Sequence, residues 1–537
     1  MIHITTKEFI FQYADNLRLG PWHVDDSGVW KDGNDQSKIF ASKIPVLPVK
    51  LMMNEDTGTE KVELAFFKRH KEYKTVVNRS VISNKTQIVR LADSGIEVTS
   101  ENARQLVLYL SEAITNSLDL LPFTNCKSVL GWTEHDGKKV FLPYCEDISF
   151  DEEGTLGYLY SCVSCSGNLF TWTDYMKKLR RSVEVRLAMA ASFASPLIEL
   201  IGQNPFVFHI WGPTGCGKTV ALMIAMSIWG DPDSGKLVRT MNMTANAMMA
   251  TASFLRNIPF AGDELQTIKS AFGNYDKLIM QITEGIDRGR MKFDEVRPTK
   301  SWRCSFLFSG EEPCVKASSG GGAKNRAIEV ECKDKIIADG NADANFCREN
   351  FGYAGRAFTE YAADRIDSIK NIYTSYFNAI VRSCDTTDKQ AGAMALMLTA
   401  DELAKDLFWP DEEYLTLESI QNYIAKSSDV DVSERAYDFV MGLISEHGDN
   451  FVNESGNGPS YVTWGMHDGY WNRIYFIQKV LDDEMAKAGF DLTSVKRSWA
   501  EKGYILKNKD AFRHLKKINK SVCSCVCFNM PENTEDG

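Results

Sequence analysis

The chain has no apolar run long enough to cross a membrane. Its most apolar region, about residues 187–211, is broken by Glu199, Gln203, Asn204 and Pro205. It reads as a buried helix followed by a strand. The first residues, Met1 to Glu8, lack the basic start and apolar core of a secretory signal, so a cytoplasmic protein without a membrane partner is expected. An excess of basic charge is missing too. Lys and Arg number 61 against 72 Asp and Glu, a net of −11, and bulk charge gives no support to nucleic-acid binding. The 13 cysteines are odd in number and scattered, and Cys304 and Cys332 stand in apolar segments. That usage fits reduced thiols rather than a disulfide framework. There is no internal repeat and no low-complexity tract.

What the chain does have is a complete GxxxxGK[ST] stretch: Gly212, Pro213, Thr214, Gly215, Cys216, Gly217, Lys218 and Thr219. A β-like run, 206–211, leads in, and a helix-like run, 220–229, leads out. Strand, glycine loop and helix are the frame of a phosphate cradle. Glycines admit phosphate oxygens to backbone N–H groups, and the helix N-terminus adds a favourable field. The spacing predicts that Lys218 reaches the β- and γ-phosphates of ATP and that Thr219 holds Mg²⁺. Cys216, inside this loop at a helix start, is a candidate for oxidation sensitivity.

Phosphate binding alone hydrolyses nothing. An acid pair, Asp263 and Glu264, closes a second apolar run, Ile258 to Gly262. Asp263 is expected to complete the Mg²⁺ shell, and Glu264 to orient and polarise the attacking water. A third run, 303–308, ends at Ser309, a candidate to contact the γ-phosphate. A fourth begins at Arg326, just after the glycine patch 320–322. Arg326 is placed to act on a neighbouring subunit's ATP, where such an arginine contributes roughly 10³–10⁵ in rate; otherwise it is a strand-start residue in a surface ion pair. Between the second and third runs, alternating segments around Asp294 and Glu295 predict a hairpin. Arg288, Arg290, Lys292 and Arg297 make it basic, so it grips a phosphate backbone or is a solvated edge.

The order GPTGCGKT, IPFAGDE, basic hairpin, WRCSFLFSGEE, NRAIEVE resembles the superfamily 3-like AAA+ helicases of viruses and mobile elements. More narrowly it is similar to domain-of-unknown-function family 927, helicase-like proteins of phages and integrated elements. Val129 to Trp132, Trp229 to Pro232, Thr244 to Ala247 and Ser309 to Glu311 match that pattern, which covers about residues 20–360. One position departs: superfamily 3 helicases usually carry Asn where this chain has Ser309. The resemblance implies a Mg²⁺-dependent ATPase that forms a homo-oligomeric, hexameric ring. It would move on single-stranded or forked DNA and work with replication proteins of a phage or mobile element.

The fold expected is multidomain α/β. A β-rich N-terminal domain (1–175) precedes a P-loop AAA+ core with a parallel sheet (176–335). A helical domain (336–455) and a winged-helix-like domain (456–537) follow. In the first domain a helix is expected near 100–117, capped by Ser100, with Val107, Leu108, Leu110 and Ile114 on one face. In the last, helices are expected at 471–488 and 492–501, then strands at 504–506 and 522–528. Between Lys496 and Lys520 nine basic residues face only Glu501 and Asp510, a local +7. Lys507, Lys509 and Arg513 are its DNA candidates. The lone Cys162-x-x-Cys165 lacks a second ligand pair, and Cys523, Cys525 and Cys527 share one strand face, so neither group makes a zinc site. Two other functions fit the same loop: a nucleotide switch that assembles without unwinding, and a phosphotransferase.

Overall fold

The computed structural model describes residues 5–14, 17–34, 37–151, 156–268, 275–288, 291–292, 295–296, 299–316, 319–453, 462–470, 472–508 and 511–530. The N-terminal part is β-rich, as expected. Strands Trp22–Asp25, Gly28–Asp32 and Lys38–Ser42 form one antiparallel sheet. A five-stranded mixed sheet runs in the order Ser149–Phe150, Phe123–Lys127, Val46–Asn54, Thr59–Lys68, Lys71–Asn78. The helix Ala103–Asn116 covers its core with Leu106, Tyr109, Leu110, Ala113 and Ile114. That face differs from the expected one. Leu108 is exposed, and Asn102, not Ser100, precedes the helix. The Asn102 Oδ1 accepts the Thr99 N–H at 2.6 Å instead of capping.

The central unit holds five parallel strands: β1 (Val207–Trp211), β2 (Val238–Thr240), β3 (Phe260–Asp263), β4 (Phe306–Gly310) and β5 (Ala327–Glu331). Their spatial order is β2-β3-β4-β1-β5. The strands are almost wholly buried, which is why they read as continuous apolar runs rather than alternating ones. Helix α1 (Val183–Ile201) precedes β1, α2 (Lys218–Met226) follows it, and α3 (Gly340–Glu349) follows β5. The long helix α4 (Asp388–Phe408) packs on α1 and on β5. Its Gln390 side-chain amide donates to the Lys324 and Ala327 carbonyls at 2.6 and 2.7 Å, fixing the entrance of β5.

Three main hydrophobic cores organise the described residues: Trp22 to Leu121, Leu130 to Ile424, and Ala436 to Phe528. They divide the chain near 121–130 and 424–436, which differs from the expected boundaries at 175, 335 and 455. The hairpin Gly131–His135/Lys138–Leu142 and the helices beyond residue 340 cannot bury their apolar faces alone, so both join the central core. Arg180 and Arg186 clamp this arrangement through Asp401 on α4, at 3.0 and 2.5 Å.

The C-terminal unit combines the helices Val432–Glu446, Gln478–Lys487 and Leu492–Glu501 with a five-stranded sheet. Asp491 caps the third helix, as expected. The expected helix over 471–488 begins only at Gln478. Arg473–Ile477 is a strand paired antiparallel with Ser521–Asn529, since its β-branched and aromatic residues suit a half-buried ladder. Cys525 and Cys527 are buried on one strand face beside Cys523. Residues 504–506 form no strand, only a bridge from Ile505 to Phe528.

Candidate functional site

The glycine loop leaves β1 and enters α2 where the sequence places it. Gly217 has φ +106, and a Cβ on it would lie 2.6 Å from Ile337. A Cβ on Gly212 would lie 2.5 Å from the Cys332 carbonyl oxygen. Only glycine allows that approach. The loop is tied down from both sides. Gly212 N–H donates to the Gly310 carbonyl at 3.2 Å, and Ile336 N–H to the Cys216 carbonyl at 2.9 Å. Cys216 is itself buried, against Cys332.

Lys218 Nζ donates to the Gly212 and Pro213 carbonyls, both at 2.8 Å, so the ammonium lies folded over the loop. The first hydroxyl of α2, on Thr219, lies 3.1 Å from both carboxylate oxygens of Asp263 at the end of β3. Because β4 sits between β3 and β1, its terminal Ser309 falls between the loop and the acid pair. Ser309 Oγ donates to Asp263 Oδ1 and accepts the Glu264 N–H, the latter at 3.3 Å. Glu264 is exposed, with φ +60. A left-handed backbone at a non-glycine residue costs on the order of 1–2 kcal/mol, and such strain gathers at functional sites.

These residues line one open cavity of about 440 Å³, shared with Glu311, Gln266, Asn341 and Arg348. The sequence reading missed those four. Glu311 accepts the Thr214 hydroxyl at 2.7 Å. Arg348, on α3, donates to Asp233 at 2.8 Å and brings a second cation to the cavity. No motif announces it, because α3 returns to the site only through the fold. A left-handed loop, a lysine without a carboxylate partner among the described residues, and a hydroxyl facing a carboxylate form a donor set that fits a nucleoside triphosphate with Mg²⁺.

Arg326 is not in this cavity. It precedes β5, and the register Val207 to Ala327 and Trp211 to Glu331 puts it at the opposite end of the sheet from Gly212. There it donates to the Gly322 carbonyl at 2.8 Å and remains partly exposed.

Of the expected DNA contacts, Arg288, Lys507 and Arg513 are exposed. Met291–Lys292 pairs with Glu295–Val296 as a hairpin. Arg290, Arg297, Lys509 and the Lys292 side chain lie outside the described residues. Arg513 adjoins a second hairpin, His514–Ile518 and Ser521–Asn529, which carries Lys516, Lys517 and Lys520.

Residues 22–300 match the model of the family described as domain of unknown function DUF927. The chain belongs to that family, and its multidomain α/β architecture with a parallel central sheet is the frame on which the site stands. Residues 431–533 match the Cch helix-turn-helix domain. A solved structure described as the SCCmec type IV Cch, an active helicase, is similar over 95% of this chain and 98% of its own, with 17% identity and a TM-score of 0.73. That likeness is one of fold. No curated protein matches the chain.

Proposed function

We propose that this chain is an ATP-dependent DNA helicase or translocase of the superfamily 3-like AAA+ type, serving the replication of a mobile element. One observation carries the reading: Thr219, Asp263 and Ser309 converge by hydrogen bonds at the mouth of the glycine loop. The family and the fold likeness to a helicase supply the context.

In this reading the loop N–H groups and Lys218 bind the triphosphate. Thr219 and Asp263 hold Mg²⁺, which when bound neutralises phosphate charge. Glu264 accepts a proton from the attacking water, and its left-handed backbone aims it out of the strand end. Ser309 holds Asp263 and the Glu264 backbone in one arrangement. Arg326, remote from its own chain's site, serves the neighbouring copy in a ring. The basic hairpin near Lys292 and the C-terminal unit with Lys507 and Arg513 engage DNA.

The test is ATP turnover by the purified chain with and without single-stranded DNA, together with its mass in a non-hydrolysable nucleotide. DNA-stimulated turnover and a nucleotide-dependent ring are expected. Assembly without turnover, indifferent to DNA, would make the chain a nucleotide switch instead.

A further inference from the structure

Behind the phosphate loop lies a second group of ligating side chains. His209 stands on β1, two residues before the loop-proximal Trp211, and is fully buried. Its Nδ1 is 3.4 Å from Oε1 of Glu329, on the neighbouring strand β5. Cys314, in the segment leaving β4, is buried against the same carboxylate. Its N–H donates to Glu329 Oε1 at 2.7 Å. The imidazole nitrogen, the thiol sulfur and a carboxylate oxygen all lie within 4.8 Å of one another.

The surroundings leave two polar atoms unsatisfied. His209 Nε2 and Gln266 Oε1 are buried and have no hydrogen-bond partner. Both flank Gly310, where an added Cβ would meet them at 2.9 and 3.4 Å. Among the described residues, His209 is the one basic side chain within 4 Å of the Glu329 carboxylate. A thiol, a carboxylate and an imidazole with one unpartnered nitrogen thus face one another, with Glu329 alone reaching the surface.

We propose that His209, Cys314 and Glu329 bind one Zn²⁺ ion, at a site distinct from the nucleotide cavity. Nitrogen and sulfur donors select zinc over the hard cations Mg²⁺ and Ca²⁺. Binding replaces the thiol proton, which leaves to solvent: the S–H bond breaks and a zinc–sulfur bond forms. Thiolate and carboxylate then balance the two positive charges, and the imidazole stays neutral. Coordination through Nδ1 makes Nε2 a donor, and Gln266 Oε1 is the nearby acceptor still in want of one. Glu329 also lines an open cavity of about 840 Å³ beside Trp211 and Lys333, so a water has a route to the fourth position. Zinc there would tie together β1, β5 and the segment after β4. Those elements adjoin the glycine loop after β1, Arg326 before β5 and Ser309 on β4.

The experiment is Co²⁺ titration of the chelator-treated full chain, read by optical absorption. One equivalent is expected to give sulfur-to-cobalt charge-transfer absorption, and one equivalent of Zn²⁺ to displace it. Cys314→Ser should abolish that absorption, while Cys165→Ser, at the exposed lone CxxC, should leave it intact. Glu329→Gln should weaken Co²⁺ binding by at least about tenfold, which keeps the test open should Cys314→Ser fail to fold. Zn²⁺ should also raise the melting temperature of the wild type and not that of Cys314→Ser. Absence of the charge-transfer absorption, its survival in Cys314→Ser, or unchanged Co²⁺ affinity in Glu329→Gln would overturn the assignment. Co²⁺ at Thr219 and Asp263 would give oxygen ligation without such absorption, so this outcome is separable from the nucleotide reading.

Discussion

Ser309 donates its hydroxyl hydrogen to the Asp263 carboxylate, across 46 residues of sequence, and accepts the Glu264 N–H at 3.3 Å, across 45. One small side chain therefore fixes both members of the acid pair. Ser309→Ala leaves Asp263 with only Thr219 and leaves the Glu264 N–H without that partner. Turnover is expected to fall on the order of 10²-fold, with ATP affinity changed little. Ser309→Asn, the residue usual in superfamily 3, should retain most of the activity. Steady-state kinetics beside equilibrium nucleotide binding separate these outcomes; an unchanged kcat in Ser309→Ala would remove Ser309 from the site.

Gly212 and Gly215 both take positive φ, yet they should respond differently to alanine. A Cβ on Gly212 meets the Cys332 carbonyl at 2.5 Å, whereas one on Gly215 meets nothing within 4 Å. Gly212→Ala must displace the β1–loop junction on top of its own backbone strain, and should lose about 1–3 kcal/mol more stability than Gly215→Ala, together with nucleotide binding. Gly215→Ala bears only backbone strain, about 1–2 kcal/mol, and should still fold. Urea midpoints of the two variants test this, and equal destabilisation would contradict it.

The C-terminal hairpin gives a prediction read in salt. Arg513 and Lys517 are exposed on or beside it. If they contact phosphates, Arg513→Ala with Lys517→Ala should weaken DNA binding alike for all sequences. The slope of log affinity against log salt should become shallower by about 2. Fluorescence anisotropy at several salt concentrations measures it. An unaltered slope would place DNA elsewhere.

Asp431 supplies a pH test for the C-terminal unit, whose first helix it caps. Burial raises its carboxyl, but Lys502 at 2.6 Å and the Ser433 N–H outweigh it and hold the group below its usual value. A depressed carboxyl stabilises the fold above the unfolded value, near pH 4, and that contribution is lost as pH falls through the folded value. Asp431→Asn should therefore melt lower than wild type at pH 7, with the gap closing towards pH 3. A gap independent of pH would rule out the pair as its source.

The parallel strands were legible because burial on both faces makes continuous apolar runs, and three of them run into the site, at Gly212 just after β1, at Asp263 ending β3 and at Ser309 near the end of β4. The glycine loop was legible because its glycines answer a backbone requirement. Arg348 and Gln266 were not, since they reach the cavity through packing rather than spacing. The strand Arg473–Ile477 was misread as helix because Ile474, Ile477, Val480 and Leu481 keep a helical spacing that cross-strand pairing overrides. Nor does the pattern of residues 130–145 and 340–424 reveal that they share the central core: apolar faces show that something is covered, not what covers it.

The account rests on a triphosphate held by the loop of Lys218 with the Asp263–Glu264 carboxylates before it. Comparing Lys218→Ala with Glu264→Gln, in ATP binding and in turnover, tests that most directly. Both variants should lose turnover, and only Glu264→Gln should keep tight ATP binding. Equal loss of binding in the two, or turnover surviving in Glu264→Gln, would contradict it.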